Sequence, residues 1–117
     1  MTTNLKINYI ELPAADFESI ETFYETVFGW QFTSYGPQYH AFNDGAMEGG
    51  FYKSDQHSST DNGAALVVLY ADDLEAARDK VLAAGGKLCK EIFSFPGGRR
   101  FQFTDPNGNE LAVWAHT

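Results

Sequence analysis

Glu11 stands where an acid is least expected. It interrupts an apolar segment formed by Ile7, Tyr9, Ile10 and Leu12, and a carboxylate inside a strand must be paired or hydrated. Such a group can anchor a ligand donor, act as a general base, or contribute to a metal site. It can equally be a structural ion pair, with Lys53, Arg99 and Arg100 as partners of the right sign. Tyr9 shares its face of the strand, two residues away. Glu110 is a second carboxylate, at the head of the last apolar segment.

The cations are unevenly spread. Residues 1–63 carry nine acids and two bases, whereas residues 64–117 carry seven acids and six bases, including the adjacent Arg99 and Arg100. Any anion-binding groups are therefore expected in the second half rather than the first. The formal charge of -8 argues against nucleic acid or an anionic membrane as a partner. Cys89 is the single cysteine, which excludes an internal disulfide, and it reads as a semi-buried strand thiol. His57 sits in the polar run SDQHSSTDN, with nothing nearby to complete a metal set, and reads as an exposed linker histidine. No signal segment or membrane-spanning run is found, so a soluble, cytoplasmic protein is expected.

The elements that must position these groups come from an internal repeat. In Asp16–Gly29, the residues Phe17, Ile20, Phe23, Tyr24, Val27 and Phe28 recur at steps of three and four, which predicts an amphipathic helix. Asp16 is placed to cap it and Gly29 to end it. Fifty-seven residues later, Asp73–Gly86 repeats the pattern, with Asp73 as cap, a stripe of Leu74, Ala77, Val81 and Ala84, and Gly86 at the matching end. Each helix follows an apolar strand, Ile7–Leu12 or Ala65–Tyr70, and precedes further strand-like segments. The repeated unit is a βαβββ module.

The fold class expected is α+β, in one domain over 1–117. It comprises a module 1–56 and a module 63–117, joined by the polar linker 54–62. Two such modules are expected to set their sheets edge to edge and curl round a shared cleft, with the helices outside. Strand parity groups Tyr9 with Glu11. Aligning the Asp44 and Asp105 turns matches Gly49, Phe51 and Lys53 with Glu110, Ala112 and Trp114. Parity alone leaves open which face of each strand is the cleft face.

The repeat, the segment D-x-x-x-x-x-x-F-Y-x-x-V-F-G-W at 16–30 and the turn D-P-N-G-N-E-L at 105–111 together resemble the glyoxalase/bleomycin-resistance/extradiol-dioxygenase superfamily, also called vicinal oxygen chelate proteins. The likeness covers essentially the whole chain. It implies paired βαβββ modules and a homodimer. Enzymes of that family bind a divalent metal through the first and last strands of the modules. The matching places here are Tyr9, Leu66, Phe51 and Ala112. Leu, Phe and Ala cannot ligate a metal, and one phenol cannot hold a catalytic divalent ion. No metal and no cofactor are therefore expected. The resemblance still implies where the cleft lies, lined by Tyr9, Phe51, Leu66 and Ala112, with Glu11, Glu110 and Trp114 beside them.

Three functions compete on these residues. The first is a metal-free binder of a small aromatic molecule, cationic if the acidic surface and Glu11 decide it. The second is a glyoxalase-like lyase or isomerase with Glu11 as general base and a displaced metal site. The third is a regulatory or structural domain with a vestigial cleft.

Overall fold

A computed structural model describes residues 3–117. The strands and helices run in the order β1 (Tyr9–Ala14), α1 (Phe17–Phe28), β2 (Gln31–Ser34), β3 (Tyr39–Asn43), β4 (Glu48–Lys53), β5 (Val67–Tyr70), α2 (Leu74–Ala83), β6 (Lys87–Phe95), β7 (Gly98–Thr104) and β8 (Glu110–Ala115). This is βαβββ used twice. Each unit makes its own four-stranded sheet, ordered β1-β4-β3-β2 and β5-β8-β7-β6. In both, the first strand pairs parallel with the last, and the remaining pairs are antiparallel.

The helix signals act as written. The Asp16 carboxylate accepts from the Glu18 N–H, and that of Asp73 accepts from the Ala76 N–H. Gly29 closes α1 in the left-handed conformation. The second helix stops one turn position sooner. Gly85 takes the positive φ, and Gly86 instead lets the chain pass close to Val81 and Phe23, where a Cβ would meet Val81 Cγ1 at 2.6 Å.

The core lies on the helix side of both sheets. From α1 it takes Phe17, Ile20, Phe23, Tyr24 and Val27; from the turn before β2 it takes Trp30; from the sheets it takes Phe42, Phe51, Phe101, Phe103, Leu111 and Val113. The α1 aromatics bridge the two units, with Phe23 and Phe28 both against Phe103. A buried polar joint completes the bridge. The Tyr24 hydroxyl donates to the Asp105 carboxylate at 2.8 Å, and Asn109 Nδ2 donates to the Pro13 carbonyl at 2.8 Å.

The expected curl of the two sheets round a shared cleft is not formed. The sheets are separate, neither closed nor strongly curled, with β1 and β5 each ending one of them as an edge strand. The reason lies in the placement of apolar surface. The large buried side chains face the helices, so burial draws the units together there and at the 105–109 turn. The helix-free faces carry Tyr9, Glu11, Tyr52 and Tyr70, which remain in water. The open face of the first unit thus offers little apolar area over which the other sheet could fold. The polar stretch 54–62 is held between the units, since the Ser58 N–H donates to Asn109 Oδ1 and the Glu110 N–H donates to the Ser58 carbonyl.

Candidate functional site

Strand pairing settles which side chains share the helix-free faces. In the first unit these include Tyr9 and Glu11 on β1, Tyr39 on β3, and Gly50 and Tyr52 on β4. In the second they include Val68 and Tyr70 on β5, Ala112 and Trp114 on β8, and Arg100 and Gln102 on β7. Leu66 lies just before β5 and is half-buried.

Phe51 falls on the other face. It is fully buried under α1, with Tyr24, Phe32 and Phe42 around it. The expectation that it matches Ala112 fails by one residue, because the two turns differ in length. The Asp44 N–H bonds the Met47 carbonyl, whereas the Asp105 N–H bonds the Asn109 carbonyl, one residue further on. Glu11 pairs with Gly50 and Val68 pairs with Ala112, so Gly50 is the counterpart of Ala112. A one-residue slip moves a strand residue to the opposite face.

Glu11, Tyr39 and Tyr9 form a chain of hydrogen bonds. The Tyr39 hydroxyl donates to Glu11 Oε2 at 2.8 Å and lies 2.6 Å from the Tyr9 hydroxyl. Burial and then the bonds to Tyr9 and Glu11 push the Tyr39 phenol well above its ordinary range. Gly50 makes this possible. A Cβ there would collide with the hydroxyl and ring of Tyr39, so the phenol lies directly over the strand. Glu11 itself is exposed, so it is both hydrated and paired, with Tyr39 as its hydrogen-bond partner. It borders a recess of about 560 Å³ that also involves Tyr52, Asp55 and His57.

The equivalent strand end in the second unit is a different polar cluster. Glu110 Oε1 accepts from the N–H and the hydroxyl of Thr60, and its Oε2 accepts from the buried Gln102 amide at 2.6 Å. Burial pushes the Glu110 carboxyl up, but the bonds from Thr60 and Gln102 outweigh it and hold the group below its ordinary value. The Cys89 thiol faces Glu110 Oε2 at 3.8 Å; burial and then that carboxylate raise it. Every strong acceptor position of Glu110 used here is directed at the protein's own donors.

Aromatic side chains gather on the open face of the second unit. Trp114 meets Tyr70 edge-on at 5.1 Å and His116 at 4.7 Å, and Phe95 lies 6.2 Å away. Together with Val68 and Arg100 they bound a cavity of about 590 Å³, closed at one end by the Pro96–Gly97 hairpin tip. Two register shifts in β6 bring Phe93 opposite Arg100, whose guanidinium stands 5.2 Å from the Phe93 ring and 5.9 Å from that of Phe95. Glu11 borders the other recess, so the single chain does not bring it together with Trp114. Arg100 was visible beforehand only as half of an arginine pair. Strand alternation is the signal that separates it from Arg99.

The places that the resemblance gives to a metal do not fit one. With the register corrected they are Tyr9, Leu66, Gly50 and Ala112, and the space in front of Gly50 is filled by Tyr39. Among the described residues no three His, Cys, Asp or Glu side chains converge in a metal-holding group. Elsewhere, His40 bridges Glu21 and Ser34 in the outer hairpin of the first unit. Its ring is packed on Phe17, and neither recess described above reaches it.

The sequence profile of the Glyoxalase/Bleomycin resistance protein/Dioxygenase superfamily matches residues 6–113. The glyoxylase-named protein CFP32 of Mycobacterium bovis is 25% identical over 127 residues, covering 92% of this chain and 44% of that protein. The chain thus spans under half the length of that relative. Among solved structures, an E126Q mutant of the fosfomycin resistance protein FosX from Listeria monocytogenes, complexed with Mn(II) and 1S,2S-dihydroxypropylphosphonic acid, superposes with a TM-score of 0.81 at 16% identity, covering 98% of this chain and 93% of that one. Lactoylglutathione lyase from Agrobacterium tumefaciens gives a TM-score of 0.72 at 22% identity, covering 97% and 96%. A glyoxalase-related enzyme from Fulvimarina pelagi gives 0.78 at 17%, covering 95% and 88%. At such identities the superpositions speak for the fold.

Proposed function

We propose that this chain, which belongs to the Glyoxalase/Bleomycin resistance protein/Dioxygenase superfamily, binds a small flat molecule by stacking in the Trp114 cavity and does so without a metal. The observation that carries this is the contrast between two sets of positions on the helix-free faces. Those that hold a metal in the family's enzymes are here a phenol, a leucine, a glycine and an alanine. The neighbouring strand positions assemble Trp114, Tyr70, Phe95 and His116 round an open cavity. Exposed aromatic surface next to a concavity is the usual mark of a small-molecule site.

A second copy of the chain is the partner this reading includes. β1 and β5 are unpaired edges. Ile7, Tyr9, Val68 and Tyr70, on or beside them, are all exposed, a combination that open sheet edges rarely keep. Pairing with a second copy would cover them and deepen the cavity.

The test combines light-scattering mass measurement, metal analysis after incubation with Mn²⁺, Ni²⁺ or Zn²⁺, and calorimetric titration with flat aromatic probes. A dimer that retains far less than one metal per chain and binds probes in a Trp114-dependent way supports the reading. Stoichiometric metal would overturn the metal-free part, and no probe binding would leave a vestigial cleft. A lyase or isomerase using Glu11 as general base is the second reading, favoured by the Tyr9–Tyr39–Glu11 chain, which supplies a carboxylate with phenolic proton donors beside it. Turnover of an α-ketoaldehyde–thiol adduct that is abolished in Glu11→Gln would establish it.

A further inference from the structure

Adjacent residues of an extended strand face opposite ways, and the two arginines of β7 have correspondingly opposite surroundings. Arg99 turns towards α2. There Glu75 takes both of its terminal nitrogens, at 2.7 and 3.1 Å, and the Thr117 carbonyl accepts at 2.9 Å. Arg100 turns to the open face, directly across from Trp114 on β8. It forms no salt bridge among the described residues, in a chain with sixteen acids. Its Nε is the one buried side-chain nitrogen or oxygen among the described residues without a hydrogen-bond partner.

Several features make this more than an idle surface charge. Phe93 and Phe95 carry the guanidinium on their rings, which fixes its plane and removes much of the entropy cost of using it. The cavity in front of it is bounded by Val68, Phe95, Trp114 and His116, and no carboxylate lines it. A charge held against apolar walls without a counter-charge is costly. A planar oxyanion suits a guanidinium fork better than any other partner.

We infer that the Arg100 cavity recognises a flat organic anion, with a carboxylate or similar planar oxyanion set against the Arg100 guanidinium and an aromatic body stacked against Trp114 and Phe95. This rests on the proposed use of the Trp114 cavity and adds the charge of the ligand. It reverses the sign expected from the acidic surface. The net charge is a property of the whole exterior, whereas within the cavity the only full charge is positive. Glu11, the anion that suggested a cationic ligand, belongs to the other recess.

The test uses three probes of one shape, naphthoate, naphthamide and naphthylmethylammonium, titrated calorimetrically into the full chain at neutral pH. Naphthoate should bind about tenfold or more tightly than naphthamide, the ratio expected when a charge-assisted pair replaces a neutral one. The ammonium probe should bind most weakly. Arg100→Met should remove the preference for naphthoate over naphthamide. Arg100→Lys, which keeps the charge without the fork, should keep part of it and guards against a misfolded methionine variant. Equal binding of all three probes, each lost in Trp114→Leu, would overturn the anion inference and leave the aromatic cavity standing. Tighter binding of the ammonium probe would overturn it as well. Failure of every probe in the folded parent protein would overturn both.

Discussion

The two halves share a topology and set their tryptophans on opposite faces. In the first, Tyr24, Trp30 and Phe42 form a stack under α1, at 4.4 and 4.3 Å between centroids, and Phe51 lies against it. The open face of that half is left to tyrosines joined by hydrogen bonds. In the second, the helix side is filled by Phe101, Phe103, Leu111 and Val113, and Trp114, Tyr70, Phe93 and Phe95 stand on the open face. The same supersecondary unit thus serves once as the structural anchor and once as the wall of a cavity. Rings under a helix hold the fold. Rings on an open sheet face are available to something else.

That contrast is breakable, and the largest effect should come from exchanging one ring in each half for alanine. Phe51→Ala removes a fully buried ring from the first core and should cost about 3–5 kcal/mol in urea unfolding. Trp114→Ala, half-buried on the open face, should cost less than about 2 kcal/mol yet abolish binding of aromatic probes. Equal losses of stability from the two would erase the distinction between anchor and wall.

The joint between the halves should be next in size. Tyr24→Phe deletes a buried hydroxyl that donates to Asp105 and should destabilise by about 1–3 kcal/mol in the same experiment, because the carboxylate loses a donor it cannot replace with water. An unchanged midpoint would mean that the Tyr24–Asp105 bond adds nothing to the joint.

A pH dependence follows at the same joint. Burial raises the Asp105 carboxyl above its ordinary value, even though bonds from Tyr24, Asn109 and Asn107 pull it down. The folded chain therefore binds this proton more readily than the unfolded chain. The favourable term is complete below the unfolded value of about 3.9 and is lost as pH rises through the raised folded value. Asp105→Asn should flatten that part of the stability profile, and a parent and variant with parallel profiles from acid to neutral pH would refute the assignment.

The smallest effect belongs to the surface of the second half. The Arg99 hydrogen bonds beside Glu75 lower its carboxyl to about 2. Its contribution is present above the ordinary carboxylate value and is lost as pH falls through about 2. The pair is exposed and open to screening, so Glu75→Gln should leave unfolding at neutral pH almost unchanged, while an NMR titration should find Glu75 the last of the exposed carboxylates to protonate.

Much of this arrangement could be read before the structure. The helix stripe from Phe17 to Val27 is buried, both capping aspartates cap, and the fifty-seven-residue offset brings Glu11 and Val68 into equivalent pairs. These are local features, written in periodicity and in residues with one preferred use. The face of β4 was not legible, because it depended on whether a turn closes on Met47 or one residue later, and parity turns that small error into a reversal. The lack of curl was not legible either. It follows from the balance of apolar area between the two faces of each sheet, which is known only once every strand's face is known. The cavity was hidden for a related reason. The rings of Phe93 and Phe95 reach Arg100 through two irregularities in β6 that no propensity announces.

The phenol lying over Gly50 has an evolutionary corollary. A chain that acquired a carboxylate at that strand position would have to displace the phenol, since a Cβ at 50 would run into the Tyr39 hydroxyl and ring. Moving or shrinking Tyr39 would strip Glu11 and Tyr9 of their shared partner. The two changes are therefore epistatic, each unfavourable until the other is made. In a lineage carrying this pair, a change at 50 is therefore felt at Glu11 and Tyr9 as well.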